Sequence, residues 1–215
     1  MLLTFDTSGK DLHLGLFGDD AVAIAEFHHI ASASERGVHD SLLAEQTNQL
    51  LREHSLSAKD ISRIGFITGP GSFTGLRIGL AFAKGLAYGC GAELVPIIFH
   101  HIIKECALRS YPALSFDGII TEGYEASSVY YAPFPVPTQV TLRPVTEILD
   151  AVSIHTLCGN PSLQERFAVS GISYKAVPLE LSVLAELTRA SAPAESIASL
   201  EPFYGADFKV KPATV

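Results

Sequence analysis

The stretch Gly69-Pro70-Gly71-Ser72-Phe73-Thr74-Gly75-Leu76-Arg77-Ile78-Gly79 decides the fold of this chain. The apolar run that precedes it, residues 64–68, has the length of a buried strand. A helical pattern follows over about residues 76–88, and Gly89 is its predicted C-cap. Residues 94–98 form a second apolar run. Because two buried strands joined by a helix are most simply parallel, the unit predicts an α/β architecture with a right-handed crossover.

The glycine-rich loop itself has two structural interpretations. Glycines beside a helix N-terminus can bind an anion through backbone N–H groups, or they can let another backbone segment come close. A Walker loop requires Lys and then Ser or Thr after its last glycine, where this chain has Leu76 and Arg77. A serine nucleophile elbow requires glycines two residues to either side of Ser72, where Pro70 and Thr74 stand. Spacing therefore argues against a nucleophilic serine and leaves a structural turn and an anion site open.

The predicted helix after the loop has one side nearly free of side chains. Gly75, Gly79 and Ala83 recur every four residues, and most other positions are apolar apart from Arg77 and Lys84. A helix that is apolar nearly all round is buried on nearly all sides. It is either the central helix of one domain or a helix partly covered by another subunit.

Composition narrows the class of protein. The chain has 215 residues, 47% of them hydrophobic, and a formal net charge of −8, so it is globular and poorly suited to hold nucleic acid by itself. Its three cysteines, Cys90, Cys106 and Cys158, fit neither a disulfide framework nor a zinc site. No apolar run approaches the ~18 residues of a membrane helix, and no signal-peptide pattern is visible. We expect a cytoplasmic protein without a membrane association.

A strand, turn, strand, turn, strand pattern occurs twice, over residues 1–27 and 116–142. A helix is predicted at residues 40–54, and its leucines form an apolar stripe along one face. Polar residues lie in the middle of this stripe, so the face suits an interface as well as a core. The repeat predicts a two-lobed α/β protein. We place an N-terminal lobe at residues 1–105, with the glycine loop and the interface helices, and a smaller C-terminal lobe at residues 106–215.

The glycine stretch closely resembles the hallmark of the TsaB (also called YeaZ) family. The agreement extends to Leu3-Thr4-Phe5-Asp6-Thr7-Ser8, to His39 before the leucine helix, and to Glu201-Pro202-Phe203-Tyr204, and it is faint over residues 140–200. The resemblance implies the two-lobed actin-like/hexokinase-like (ASKHA) α/β fold, with the second lobe reduced.

The resemblance also implies a function in tRNA processing. It implies a non-catalytic subunit that binds and activates TsaD in the threonylcarbamoyladenosine (t6A) modification of tRNA next to the anticodon. It implies a TsaE-like ATPase as a further partner, a homodimer of the chain alone through the helices that meet TsaD, and only indirect contact with tRNA. No cofactor is required, although ATP or ADP is expected at the partner interface.

Two sets of candidate residues follow. The nucleotide- or anion-binding set is Asp6, Thr7, Ser8, Gly69, Gly71, Ser72, Thr74 and Gly75. The partner-interface set is His39, Leu42, Leu43, Gln46, Leu50, Arg77, Ile78, Gly79, Ala83 and Lys84. A metal site in the manner of TsaD would need two histidines four apart on a helix, and Leu43 stands four residues after His39. We therefore expect no metal and no catalytic residue. The turn Thr121-Glu122-Gly123 reads as a degraded second phosphate turn.

Two alternatives belong to other classes. The first is a small actin-like ATPase or kinase that acts on its own through Asp6, Thr7 and residues 69–75. The second is a glycoprotease-like peptidase, for which the sequence has neither a nucleophile elbow nor a paired-histidine metal site.

Overall fold

The computed structural model describes residues 1–32, 39–123, 125–135, 137, 139–168 and 171–205, with residues 39 and 40 described by their backbone alone. The strands in these ranges are β1 (Leu2–Asp6), β2 (Leu12–Phe17), β3 (Ala23–His29), β4 (Arg63–Gly69), β5 (Glu93–Ile98), β6 (Gly118–Glu122), β7 (Ser128–Pro133), β8 (Thr141–Pro144), β9 (Thr156–Gly159) and β10 (Ser173–Ala176). The α-helices are α1 (His39–Glu53), α2 (Phe73–Cys90), α3 (Phe99–Ser110), α4 (Val145–Leu149), α5 (Gln164–Phe167) and α6 (Leu181–Ala190), and short 3-10 turns lie at Ala58–Asp60 and Pro161–Leu163.

The strands form two five-stranded sheets with the same internal pattern. The first sheet has the order β3-β2-β1-β4-β5, and the second has the order β10-β9-β6-β7-β8. In each, the first three strands in sequence form an antiparallel meander, and the later strands add in parallel. The predicted repeat, the parallel pairing of β4 with β5 and the two-lobed arrangement are therefore confirmed.

The first sheet is covered on both faces, which is why all five residues of β1 are buried. Leu3 and Phe5 pack with α1 and α2, whereas Leu2 packs with α3 and α6 on the opposite face. Successive side chains of a strand point to opposite faces, so a strand between two cores is apolar throughout.

Helix α2 is longer than the sequence predicts. It begins at Phe73 because the hydroxyl of Ser72 accepts a hydrogen bond from the Gly75 N–H at 3.3 Å and caps the first turn. It ends at Cys90, and Gly91 adopts the left-handed conformation of a C-cap with φ of 80°. The prediction of Gly89 as the C-cap is wrong, because the helix continues through it.

The second lobe is reduced in the size of its elements. Its helices α4 and α5 have 5 and 4 residues, against 15 and 18 in α1 and α2 of the first lobe. Strand β10 is not predicted from the sequence. Its residues are exposed or half-buried, so they show no apolar run, and the strand exists through parallel pairing with β9.

Helix α6 returns to the first sheet and packs on β1 and β4. Its C-terminal carbonyls are held by Arg63, whose guanidinium donates to the carbonyl oxygens of Thr188, Arg189 and Ser191 at 2.7, 2.8 and 3.0 Å.

A lobe boundary at residue 105 stays a prediction. In the described parts of the chain, no helix has the length and apolar character to cross a membrane.

Candidate functional site

The ends of β1 and β6 face a cleft between the two lobes. The cleft has a volume of about 330 Å³. Its polar lining comes from Asp6, Ser8, Lys10, Asp11 and His13 of the first lobe and from Thr121, Glu122, Asn160 and Ser162 of the second. Asp6 and Glu122 are the last residues of their strands, so the two turns that the sequence relates to each other do meet.

The turn between β1 and β2 is fixed by its own polar groups. The backbone N–H of Ser8 donates to the buried carboxylate of Asp6 at 2.7 Å, and the hydroxyl of Thr7 donates to the carbonyl oxygen of Gly75 at 2.8 Å. These bonds satisfy buried polar groups and join the turn to the first turn of α2.

The glycine loop lies directly against this turn. The Ser72 N–H donates to the Ser8 carbonyl oxygen at 2.6 Å. A Cβ at Gly71 or Gly75 would come closer than 3.0 Å to the backbone carbonyl oxygen of Ser8 or Thr7. Both glycines are thus required for the approach of the chain's own backbone, which is the structural interpretation of the loop. An anion site at these residues stays a prediction.

Glycine is required at position 69 for a different reason. Its φ is 133°, and a Cβ there would clash with the carbonyl oxygen of Phe203, whose N–H donates to the Thr68 carbonyl at 2.8 Å. The remaining anion candidates, Ser72 and Thr74, are exposed at the start of α2 and line a second cavity of about 520 Å³. Of the predicted anion-binding set, Asp6, Ser8, Gly71, Ser72 and Thr74 line these two cavities, whereas Thr7, Gly69 and Gly75 do not.

The charge of the cleft is mainly acidic. Asp6, Asp11 and Glu122 contribute carboxylates, against one lysine, Lys10. Burial lowers the pKa of His13, while the nearby Asp6 carboxylate opposes that shift. Such a lining does not favour a phosphate without a counter-ion.

Thr121 adds one unusual feature to the cleft. It is 2% exposed, and its hydroxyl has no hydrogen-bond partner among the described residues. Among those residues, no three His, Cys, Asp or Glu side chains are grouped so that they could hold a metal ion. Sequence reasoning missed Lys10, Asp11, His13 and Asn160, although the first three lie within seven residues of Asp6, in the turn after β1 and at the start of β2.

Four residues of the interface set lie inside the first lobe. Gly79 packs against Thr7 and against the ring of Phe5, which a Cβ would meet at 3.3 Å, and Ala83 is fully buried. Leu43 and Leu50 belong to the same core. The side of α2 formed by Gly75, Gly79 and Ala83 therefore faces its own chain. The four buried residues influence a partner surface only by holding α1 and α2 in place.

The exposed surface of α2 lies on another side of the helix. Its exposed members are Ala81, Gly85, Tyr88 and Gly89, the half-buried Ile78 lies beside them at helical spacing, and we call these five residues the outer face of α2. Tyr88 is 67% exposed, and a Cβ at Gly85 or Gly89 would meet no atom within 4 Å in the part of the chain that the structure describes. Only Ile78 of this face was in the predicted set.

The first turns of α1 complete the interface set. Leu42 and Gln46 are half-buried on α1, which packs beside α2. His39 begins α1, and its side chain lies outside the described residues.

Arg77 and Lys84 hold the C-terminal part of the described chain. The Arg77 guanidinium lies 4.2 Å from the centroid of the Phe73 ring and donates to the Tyr204 hydroxyl at 3.2 Å. The rings of Phe73 and Tyr204 stack at 5.2 Å, and the Lys84 ammonium donates to the Ala198 carbonyl at 3.0 Å. The Glu201-Pro202-Phe203-Tyr204 motif therefore docks beside the glycine loop, which sequence periodicity cannot reveal.

Comparisons with known proteins agree with this fold. A model of the family described as "TsaD: tRNA N6-adenosine threonylcarbamoyltransferase" matches residues 33–123. The tRNA threonylcarbamoyladenosine biosynthesis protein TsaB of Haemophilus influenzae is 31% identical over 96 residues, which are 45% of this chain and 38% of that protein. The tRNA N6-adenosine threonylcarbamoyltransferase of Pyrobaculum aerophilum is 30% identical over 128 residues, 56% of this chain and 37% of that protein. The chain thus spans well under half the length of these curated relatives.

A solved structure extends the likeness to nearly the whole chain. A Pseudomonas aeruginosa protein described as similar to peptidase YEAZ has a TM-score of 0.69 with 18% identity, covering 95% of this chain and 99% of that one. The two-lobed actin-like (ASKHA) α/β fold is confirmed, and so is the resemblance to the TsaB (YeaZ) family.

Proposed function

We propose, because the chain is similar in sequence to the TsaB (YeaZ) family and shares its fold, that it is a partner subunit that binds and activates TsaD. The names of its relatives support a part in the biosynthesis of threonylcarbamoyladenosine in tRNA. The specific role, pairing with TsaD to keep that transferase active, is the proposal.

The outer face of α2 is the observation that carries the proposal. Gly85 and Gly89 each lower helix stability by up to ~1 kcal/mol relative to alanine, yet no atom of the described residues comes close enough to require them. Together with Ala81 and the exposed ring of Tyr88, they form a surface without long side chains except for one aromatic ring. Small residues on a helix let a second helix approach closely, so this face suits a helix of TsaD.

The packing of the glycine loop supports a non-catalytic role. The space beside Gly71 and Gly75, which could otherwise hold a phosphate, is occupied by the backbone of residues 7 and 8. In the proposed assembly the chain needs no cofactor of its own, ATP or ADP binds at the junction with TsaD, and a TsaE-like ATPase joins the pair. Contact with tRNA is indirect, the location is cytoplasmic, and the chain alone forms a homodimer through α1 and α2.

The experiment is a binding measurement between the purified chain and TsaD from the same organism, by calorimetry. Ala81→Arg places a long charged side chain on the outer face of α2, and Ala168→Arg places the same side chain on an exposed site of the second lobe. We expect Ala81→Arg to weaken binding at least about tenfold, since burying an unpaired charge costs more than about 1.4 kcal/mol. Ala168→Arg should bind as the unmodified chain does.

Equal binding by both variants would contradict the proposed surface. The same preparations test the alternative of an independent ATPase. If the chain alone hydrolysed ATP, and Asp6→Ala abolished that turnover, the role of a non-catalytic subunit would be refuted.

A further inference from the structure

The cleft between the two lobes has an excess of negative charge. Asp6, Asp11 and Glu122 contribute three carboxylates to its lining, and Lys10 contributes one ammonium group. Burial lowers the pKa of His13, so this imidazole is uncharged at pH 7, although the Asp6 carboxylate opposes the shift. The lining therefore has a formal charge of −2, which attracts cations and repels anions.

The two carboxylates of the first lobe are held in place by backbone groups. Asp6 is 5% exposed and accepts a hydrogen bond from the Ser8 N–H at 2.7 Å. Asp11 accepts a hydrogen bond from the Ala31 N–H at 3.0 Å. A carboxylate has about four lone-pair positions, so both groups have the capacity to accept further hydrogen bonds without moving. Acceptors that are already in position lower the cost of binding a ligand that donates.

Two oxygen atoms of the second lobe lack hydrogen-bond donors. The Oγ1 atom of Thr121 and the Oδ1 atom of Asn160 are shielded from water, and neither has a partner among the described residues. Thr121 is 2% exposed, and both residues line the cleft. A buried polar atom without a partner raises the free energy of the folded chain. Because an amide oxygen can only accept, the group that would satisfy it is a donor.

Apolar side chains lie among these acceptors. Ile30, Phe99 and Leu179 line the same cleft, and Ile30 is 66% exposed. The methylene groups of a long amine pack on such side chains while its ammonium groups reach polar partners. A bare metal ion gains nothing from apolar side chains, and across the described ranges no three His, Cys, Asp or Glu side chains are grouped to hold one.

We propose that the cleft between the lobes binds a linear aliphatic diamine or polyamine. One ammonium group donates to Asp6 and Asp11 of the first lobe. A second ammonium group donates to Glu122, Thr121 and Asn160 of the second lobe, and the methylene groups between the two pack on the apolar side chains. A dication balances the charge of the lining, and a cavity of about 330 Å³ falls within the range of small-molecule sites, about 300–1,000 Å³.

This site goes beyond the proposed function. It uses no residue of the outer face of α2, so a failure of either proposal leaves the other intact. Ala81→Arg, designed to weaken binding to TsaD, should leave amine binding unchanged because Ala81 does not line the cleft.

The test is a calorimetric titration of the full chain with putrescine at constant ionic strength. We expect one site per chain with a Kd below about 1 mM. Butylamine has the same carbon chain with a single ammonium group, and it should bind at least about tenfold more weakly because one set of charged hydrogen bonds is lost. Magnesium chloride supplies a dication without methylene groups, and at the same concentration it should not displace putrescine.

Two glutamine variants locate the site. Glu122→Gln removes one carboxylate of the lining at an exposed position and should weaken putrescine binding at least about tenfold. Glu125→Gln makes the same change of charge three residues later, at an exposed position outside the lining, and should bind putrescine as the unmodified chain does.

Thr121→Val tests the unpaired hydroxyl through two measurements. The variant should weaken putrescine binding about threefold or more, because one acceptor for the ammonium group is lost. Its unfolding temperature without ligand should equal or exceed that of the unmodified chain, because no hydrogen bond within the described residues is lost.

Several results would overturn the proposal. These are no saturable binding of putrescine, equal affinity for butylamine, displacement by Mg²⁺, and equal affinities of Glu122→Gln and Glu125→Gln. A lower unfolding temperature of Thr121→Val without ligand would also overturn it, since the hydroxyl would then have a partner within the chain.

Discussion

Replacing Gly75 by alanine tests the account of the glycine loop most sharply. A Cβ at this position would come closer than 3.0 Å to the Thr7 carbonyl oxygen, which is backbone and has no rotamer to change. The turn that carries it is fixed to α2 by the Thr7 hydroxyl and by the Ser72 N–H. The start of α2 and this turn must therefore separate.

The expected change in the free energy of unfolding follows from two opposing effects. Overpacking of this kind costs about 1–3 kcal/mol, and the obstacle here is rigid, so the upper part of that range applies. The gain in helix propensity returns up to about 1 kcal/mol. Gly75→Ala should therefore lower the free energy of unfolding by about 2 kcal/mol. Gly85→Ala, in the same helix with open space around it, should raise it by about 0.5–1 kcal/mol.

The assay is thermal unfolding followed by circular dichroism. For a chain of this size about 1 kcal/mol corresponds to roughly 2–4 °C, so the two variants should differ by roughly 5–12 °C, with Gly75→Ala the lower. If Gly75→Ala were as stable as Gly85→Ala, the loop would have room that the structure denies, and its glycines would need another explanation such as a bound phosphate.

Three further predictions concern the contacts that hold the C-terminal part and the second lobe. Arg63→Ala removes the donors to the last carbonyls of α6, and it should lower the free energy of unfolding by about 2 kcal/mol and speed amide hydrogen exchange in α6; unchanged exchange there would contradict it. Burial lowers the pKa of His100 to about 4 from its ordinary 6.5, so the unfolded chain binds more protons between these values, and stability should fall by up to about 3 kcal/mol as pH drops from 6.5 to 4. His100→Gln should flatten that decline in denaturant titrations at several pH values, and an equally steep decline would refute the assignment. Tyr204→Phe loses the hydrogen bond from Arg77 but keeps the ring stack, so limited proteolysis near residue 204 should increase no more than a few-fold, whereas Tyr204→Ala should release the segment.

Local sequence patterns predict the framework of the fold because the elements concerned are long or closely connected. The strand, glycine loop, helix, strand unit gives β4, α2 and β5 in nearly their observed positions. The two meanders are also found, since antiparallel neighbours are joined by short polar turns.

Contacts between distant parts of the chain explain what the sequence leaves undecided. The three loop glycines look like a phosphate motif in sequence, yet Gly69 meets residue 203 and the other two meet residues 7 and 8. Periodicity shows that one side of α2 carries small residues, but it cannot show whether that side faces its own strand β1 or another protein. Arg77 and Lys84 are charged residues of a helix in sequence, and their partners lie more than a hundred residues away.

The central claim, that this chain is a subunit needed for TsaD activity, is tested most directly by reconstitution. TsaD, TsaE, the adenylate-forming enzyme, ATP, threonine, bicarbonate and tRNA are combined with and without the chain, and t6A is quantified by mass spectrometry. We predict t6A with the unmodified chain and with Ala168→Arg, and at most background without the chain or with Ala81→Arg. Equal amounts of t6A with and without the chain would contradict the account.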